Sequence, residues 1–263
     1  MTEKTSTILS LKYQDQITTL CNELQRATNI PYFVSYIIFN NGQLFVLSNL
    51  FDMLPAYYTE GLHKEDFSIE KEHTADVSYY LCDRTPSISE NFKTLLEQKY
   101  TLHRAYYIVR NCPECQFVFG AIKNNPIEDY QRLYTKTLPA FEKFCCYFIN
   151  NVVDIIKHHN PTYKASLVLN DADYRKRIIQ TPDAFSETPT AREIECLCYA
   201  AYGKSSEETA QILGISKMTV EGYRNDVKRK LNAENITQAV FEAVKHGYIG
   251  AFDKIWKKKD VAM

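Results

Sequence analysis

The sequence holds few of the features that mark most functional classes. No window approaches the ~18 consecutive apolar residues that a spanning helix needs, and Met1 to Leu11 carry Glu3 and Lys4 where a secretory signal would have an apolar core. It contains no glycine-rich phosphate loop, no G-x-S-x-G elbow and no H-E-x-x-H pair. Charge of neither sign dominates, since 31 Lys and Arg stand against 32 Asp and Glu. These absences predict a cytoplasmic chain with no membrane partner, no cofactor and no catalytic role. Eight cysteines are scattered through 263 residues, which suits reduced, mostly buried thiols better than the disulfide framework of a short secreted domain.

What is present divides the chain in two. From Tyr13 to His159 strand-like and helix-like patterns alternate, and from Thr190 to Gly250 the pattern is helical throughout. Asn160-Pro161-Thr162, Thr181-Pro182 and Glu187-Thr188-Pro189 disfavour continuing helix between them. The expected organisation is an α+β sensor domain over 1–160, a linker over 161–189, an all-α domain over 190–250 and a tail over 251–263.

In the first region Ile17, Leu20, Cys21, Leu24 and Ala27 mark one face of a helix. Tyr32 to Phe39 and Gln43 to Ser48 flank Asn40-Asn41-Gly42 as a hairpin, and Ala105 to Arg110 and Gln116 to Ile122 flank Asn111 to Cys115 as a second. Helical pieces are expected near Leu54–Leu62 and Glu90–Tyr100, a strand at Val77–Leu81 and a long helix over Ile127–Ile156. The sum is an antiparallel sheet flanked by helices. All but four of the 19 tyrosines lie before residue 186, and such amphipathic aromatics suit either a sheet face or an apolar pocket with hydroxyls.

In the second region Ala210, Gly214 and Val220 supply what a helix-turn-helix requires: a small residue where helices approach, a glycine able to take positive φ, and a branched core residue. Ser216 is suited to cap the second helix. With Val220, Tyr223, Val227 and Leu231 as the buried stripe, Lys217, Met218, Thr219, Glu221, Arg224, Asn225, Lys228 and Arg229 remain to meet a major groove. From Ser186 onward 12 basic residues face 11 acidic ones, so affinity for DNA must come from the local cluster of Arg224, Lys228, Arg229 and Lys230.

The run Thr190-x-Arg192-Glu193-x-Glu195-x-Leu197, Gly203-Lys204-Ser205, Glu208-Thr209-Ala210, Leu213-Gly214-Ile215-Ser216, Thr219-Val220 and Lys230-Leu231 resembles the LuxR-type DNA-binding domain. That resemblance implies a four-helix DNA-binding module, double-stranded operator DNA as partner, homodimerisation helped by a fourth helix at about Ile236–His246, and RNA polymerase as a candidate partner. Thr209 replaces the usual Ile, Tyr223 the usual His, and Glu221 a frequent Lys. The element order of the first region resembles the autoinducer-binding domain of quorum-sensing LuxR receptors. In that family a Trp, a Tyr and an Asp hold the ligand; here Met53, Tyr57 and Asp66 match them, Phe67 replaces the Pro after the Asp, and Tyr36 and Tyr58 are further candidates. The resemblance implies a small autoinducer-like ligand. The bland reading is that Tyr57 and Tyr58 pack the core and Asp66 caps a short helix, so that the domain serves protein contacts alone.

Cys112-x-x-Cys115 lacks the second ligand pair of a zinc knuckle. It reads as hairpin decoration, with a thiol-based sensor as the open alternative. No metal site is expected.

Overall fold

A computed structural model of the chain describes residues 8–66, 77–83, 88–160, 163–180, 187 and 189–249. Phe67, Pro161, Thr162, Thr181, Pro182, Thr188, Gly250 and the expected tail with its Trp256 and Lys257–Lys259 lie outside the described residues. The chain divides into two units, one of residues up to Tyr130 with Thr137–Gln180, the other of Gln131–Lys136 with the residues from Thr181 onward.

The first unit is built on a five-stranded antiparallel sheet. Its strands are β1 (Tyr32–Phe39), β2 (Leu44–Ser48), β3 (Val77–Leu81), β4 (His103–Asn111) and β5 (Cys115–Lys123), in the order β2-β1-β5-β4-β3. Gly42 takes φ +86° in the first hairpin turn, as its Asn-Asn-Gly sequence requires. Helices α1 (Leu9–Lys12) and α2 (Gln14–Thr28) precede the sheet, α3 (Leu54–Thr59) and α4 (Glu90–Lys99) lie between strands, and α5 (Tyr130–His159) follows.

Side-chain alternation sends the two sheet faces into different layers. On one face Phe33 meets Phe141, Phe144 and Phe148 of α5 edge-on. On the other, Val34, Tyr36, Ile38, Tyr107, Val109, Val118 and Ile122 pack with Ala56 and Tyr57 of α3 and Phe92 and Leu96 of α4.

The stretch expected as a linker is partly folded, which corrects that reading. Tyr163–Ala165 form a 3-10 turn, followed by α6 (Leu167–Asn170) and α7 (Ala172–Ile179). Capping explains how short polar residues start helices there: Ser166 accepts from the Leu169 N–H and Asp171 from the Tyr174 N–H. Val168, Leu169 and Ile179 are buried, so this segment has the apolar anchors a free linker would lack.

The second unit comprises α8 (Ala191–Ala201), α9 (Ser206–Leu213), α10 (Lys217–Lys230) and α11 (Ile236–Lys245). Thr190–Glu193 and Ser205–Glu208 form complete capping boxes at the starts of α8 and α9. Gly214 ends α9 at φ +65° and Ser216 caps α10 by accepting from the Thr219 N–H. Ile194, Leu197, Cys198, Val227, Leu231, Ala239 and Ala243 form its main core, while Cys196, Ala210 and Val220 close the corner between α8, α9 and α10. The sheet flanked by helices and the all-α helix-turn-helix unit are therefore the fold.

Candidate functional site

In the first unit three polar side chains converge inside the apolar layer between the sheet and helices α3 and α4. The hydroxyls of Tyr36 on β1 and Tyr57 on α3 both donate to one oxygen of Asp66, at 2.8 and 2.9 Å. All three residues are buried. Burial, and then the neighbouring Asp66 charge, raises the pKa of both tyrosines, so both remain donors. Asp66 sits in an isolated bridge opposite Ile88, and its carboxylate accepts from both tyrosines.

These groups border a cavity of about 30 Å³, also lined by Met53, Leu50, Phe92, Arg104 and Tyr107. Of the sequence candidates, Tyr36, Met53, Tyr57 and Asp66 reach it. Tyr58 does not; it turns aside to stack edge-on against Tyr57 and tilt over His63.

Sequence periodicity missed Arg104. Alternation on β4 assigns it to the same face as Tyr106, but the pairing with β5 shifts between Arg104 and Tyr106. That bulge re-aims the strand, so that Arg104 and Tyr107 share the cavity face. The Arg104 Nε donates to the Tyr107 hydroxyl at 3.1 Å and the guanidinium lies over the Tyr107 ring, 4.6 Å from its centroid. Burial opposes the charge of Arg104, and Tyr107, Cys82, Asp66 and Tyr80 together outweigh it, keeping Arg104 protonated. Gly120 was missed as well: a Cβ there would lie 2.5 Å from the Tyr107 ring and 2.7 Å from Val34. Only glycine lets the Tyr107 ring lie against β5.

A second cleft of about 400 Å³ is lined by Cys82, Asp83, Glu90, Lys93, Glu97 and Tyr130, and shares Ile88, Leu96, Leu102 and Arg104 with the inner cavity. Those four residues are the partition between the two spaces.

The second unit presents α10. Lys217, Met218, Thr219, Glu221 and Asn225 are exposed and Lys228 is half-buried. The side chains of Lys217, Glu221, Asn225 and Lys228 make no hydrogen bond or ion pair among the described residues. The rest of the expected basic cluster is engaged. Arg224 turns back toward α9, donating to the Lys204 carbonyl at 2.9 Å and to the hydroxyls of Ser206 and Thr209 at 3.1 Å each. In this arrangement the Arg224 guanidinium faces α9, not the outward face where a base edge was expected. It also accounts for Thr209, a fully buried residue, whose hydroxyl accepts from Arg224 and donates to the Ser205 carbonyl at 2.8 Å. Lys230 binds both carboxylate oxygens of Glu193 at 2.9 Å, joining α10 to the start of α8. Arg229 forms a bidentate pair with Glu187 at 2.9 and 3.0 Å; both side chains are exposed, and such a pair contributes little and yields readily to phosphate.

Arg224→Ala is accordingly expected to lower the stability of the second unit by about 1–3 kcal/mol, the range for losing hydrogen bonds from a charged group to partly buried partners. Thermal melting of the variant checks this, and a melting curve unchanged from wild type would return Arg224 to the groove.

Residues 188–243 match the family model GerE, bacterial regulatory proteins, luxR family. The chain is 43% identical to the transcriptional activator protein VanR of Vibrio anguillarum over 63 residues, 24% of this chain and 26% of the relative. It is 47% identical over 60 residues, 23% of each chain, to the HTH-type quorum sensing-dependent transcriptional regulator VjbR of Brucella abortus (strain 2308). The chain thus spans about a quarter of the length of the curated relatives it matches. Among solved structures, Escherichia coli SdiA is 18% identical over 92% of this chain and 97% of that one, with a TM-score of 0.38. The Vibrio cholera VqmA-Ligand-DNA complex is 19% identical over 76% of this chain and 68% of that one, with a TM-score of 0.25. These whole-chain likenesses are slight, and the fold of the first unit stands on its own strand pairing.

Proposed function

We propose, from the premise that residues 188–243 are a helix-turn-helix domain of the luxR family, that the chain is a sequence-specific regulator of transcription that binds operator DNA as a homodimer and responds to a small molecule held by its first unit. The observation that carries the DNA reading is the outward face of α10, where Lys217, Glu221, Asn225 and Lys228 stand without partners among the described residues. Lys217 and Lys228 suit phosphates and guanine edges, Asn225 suits adenine, and Glu221 accepts from the cytosine amino group. Arg229 joins them once phosphate displaces Glu187. Support for pairing comes from α11, whose Phe241 is 63% exposed, an apolar face of the kind that interfaces cover.

The ligand reading is supported by the trio of Tyr36, Tyr57 and Asp66. A buried carboxylate that accepts an N–H, beside tyrosines that donate to a carbonyl, suits a small amphipathic molecule bearing an amide or a heterocycle. The inner cavity, about 30 Å³, admits only a water or two, whereas ligand pockets span about 300–1,000 Å³. Binding therefore calls for a second state in which Ile88, Leu96, Leu102 and Arg104 part and the cavity joins the neighbouring cleft, populated by the ligand's preference for it.

The same small volume favours a second reading, in which the trio is packed core and the unit makes protein contacts alone. Mass spectrometry of molecules extracted from the purified chain separates the two. The ligand reading predicts a stoichiometric small molecule, reduced at least tenfold by Tyr57→Phe or Asp66→Asn at roughly unchanged thermal stability. An empty wild-type chain, with and without candidate extracts, leaves the protein-contact reading in place.

A further inference from the structure

The tip of the β4–β5 hairpin, remote in sequence from the trio around Asp66, brings two thiols together. Cys112 and Cys115 oppose each other across a loop of Pro113 and Glu114. The Cys112 N–H donates to the Cys115 carbonyl at 3.0 Å, and the two Sγ atoms lie 3.6 Å apart. Hydrogen-bonded residues facing across antiparallel strands have Cα atoms ~5.5 Å apart, inside the span a disulfide bridges, about 4.4–6.8 Å. Closing the bond asks for movement of the sulfurs and the loop, with the strands in place.

The two thiols differ in the way an attacking and a resolving cysteine differ. Cys112 is half-buried and reachable, whereas Cys115 is buried, as are Cys21, Cys145, Cys146, Cys196 and Cys198. The contact between the two sulfurs brings the Cys112 pKa down to about 7, with burial opposing this and the backbone around Glu114 and Cys115 assisting it; as a thiol, Cys112 donates to the Cys115 carbonyl at 3.2 Å. The same contact and burial raise Cys115. Among the described residues no group of three or more His, Cys, Asp or Glu is placed to hold a metal ion, so a zinc site finds no third ligand here.

We propose that Cys112 and Cys115 are a redox-active dithiol that takes a hydroperoxide as its oxidant. The Cys112 thiolate attacks the terminal peroxide oxygen. The O–O bond breaks, Cys112 becomes a sulfenic acid, and the leaving oxygen takes up the proton the thiol had released, departing as alcohol or, from hydrogen peroxide, as water. The Cys115 sulfur then attacks the Cys112 sulfur; the S–O bond breaks and the hydroxyl leaves as water with the Cys115 proton. Two thiols are oxidised to one disulfide and one peroxide is reduced by two electrons.

Loop contacts give this chemistry an outlet. The Glu114 carboxylate accepts from the Ser166 hydroxyl and, at 2.8 Å, from the Leu167 N–H at the start of α6. The Glu114 carbonyl accepts from the Asn40 N–H at 3.0 Å, and the Pro113 carbonyl from the Asn40 side chain. Drawing the sulfurs together turns Pro113 and Glu114 and loosens the first turn of α6, which with α7 precedes the DNA-binding unit in the chain.

The test treats reduced, full-length protein, freed of excess reductant, with hydrogen peroxide. The proteolytic peptide 111–123 should become lighter by two hydrogens, and dithiothreitol should reverse the change. Cys112 should react roughly ten times faster than the remaining thiols, as a thiolate near neutral pH does against ordinary ones. Cys115→Ser should halt at a sulfenic acid on Cys112 that dimedone traps, and Cys112→Ser should leave Cys115 unmodified. Amide exchange over 166–170 should quicken on oxidation. A peptide of unchanged mass, or Cys112 running to sulfinic acid with Cys115 present, would overturn the dithiol. Unchanged exchange over 166–170 would overturn the coupling to α6.

Discussion

Replacing Arg110 by alanine is expected to lower the stability of the first unit by about 3–5 kcal/mol, the usual loss when one member of a buried ion pair is removed. Arg110 is 1% exposed and lies on the sheet face opposite the cavity. Its guanidinium pairs with Glu142 of α5, its Nε donates to the Ile179 carbonyl at 3.1 Å, and its Nη1 to the Val109 carbonyl at 2.9 Å. One side chain therefore ties β4 to α5 and to the last residue of α7. Its removal takes the ion-pair partner from the buried Glu142 carboxylate and frees the end of α7. Against a typical total of about 5–15 kcal/mol, the unit would be left marginal. Urea denaturation followed by circular dichroism measures the effect. Arg110→Met combined with Glu142→Leu should recover most of the loss, because replacing both members with apolar groups removes the stranded charge. A single variant within about 1 kcal/mol of wild type would show that the pair holds nothing together.

The second large effect belongs to α10. Lys217→Ala with Lys228→Ala should weaken binding to duplex DNA about a hundredfold at fixed salt, each lysine contributing roughly 1–3 kcal/mol. The slope of log affinity against log salt should fall by about 2, one for each phosphate that no longer meets a lysine. Neither side chain holds a partner among the described residues, so thermal stability should stay within ~0.5 kcal/mol of wild type. Lys230→Ala should behave in the opposite way, because Lys230 binds Glu193 of α8: it should lower stability more than it alters the salt slope. Fluorescence anisotropy titrations over a salt series distinguish the two outcomes. Equal losses from all three lysines would mean that α10 is merely one part of a diffuse basic surface.

Local patterns made most of the fold legible. Period-2 runs around Asn40-Asn41-Gly42 and around the 112–115 loop are hairpins, and the Ala210, Gly214, Val220 spacing is a helix-turn-helix whose glycine adopts the positive φ the turn demands. The misses share a cause: a contact or an irregularity with no local trace. Arg104 reaches the cavity because a bulge inverts the alternation of β4. Arg224 stands four residues after Val220 and three before Val227, a spacing that sets it beside the buried stripe. Its partners on α9 and just before it lie 15 to 20 residues earlier in the chain, so the bonds that turn it toward α9 have no signature in the run of α10. Residues 163–180 read as linker because Pro161 and Pro182 bracket them, yet Val168, Leu169 and Ile179 find apolar partners and Arg110 holds the end of α7.

The candidate cavity was half legible. The resemblance to the autoinducer-binding domain named Tyr57 and Asp66 together, with Tyr36 as a further candidate, and the three converge. Tyr58 follows Tyr57 by one residue on a helix, about 100° around the axis, and for that reason turns away. Gly120 gave no sequence sign of its role, which depends on the Tyr107 ring crossing from the neighbouring strand.

The most direct test is a selection of bound duplexes from a random-sequence pool by the purified full-length chain at moderate salt. A dimeric regulator reading DNA through α10 should enrich a two-fold symmetric motif whose half-sites lie about 10 base pairs apart, or a multiple of that, the span of one helical turn. The Lys217→Ala, Lys228→Ala chain should enrich it far less. A pool that stays random after several rounds, or an enriched motif that the double variant selects equally well, would contradict the assignment of operator recognition to this helix.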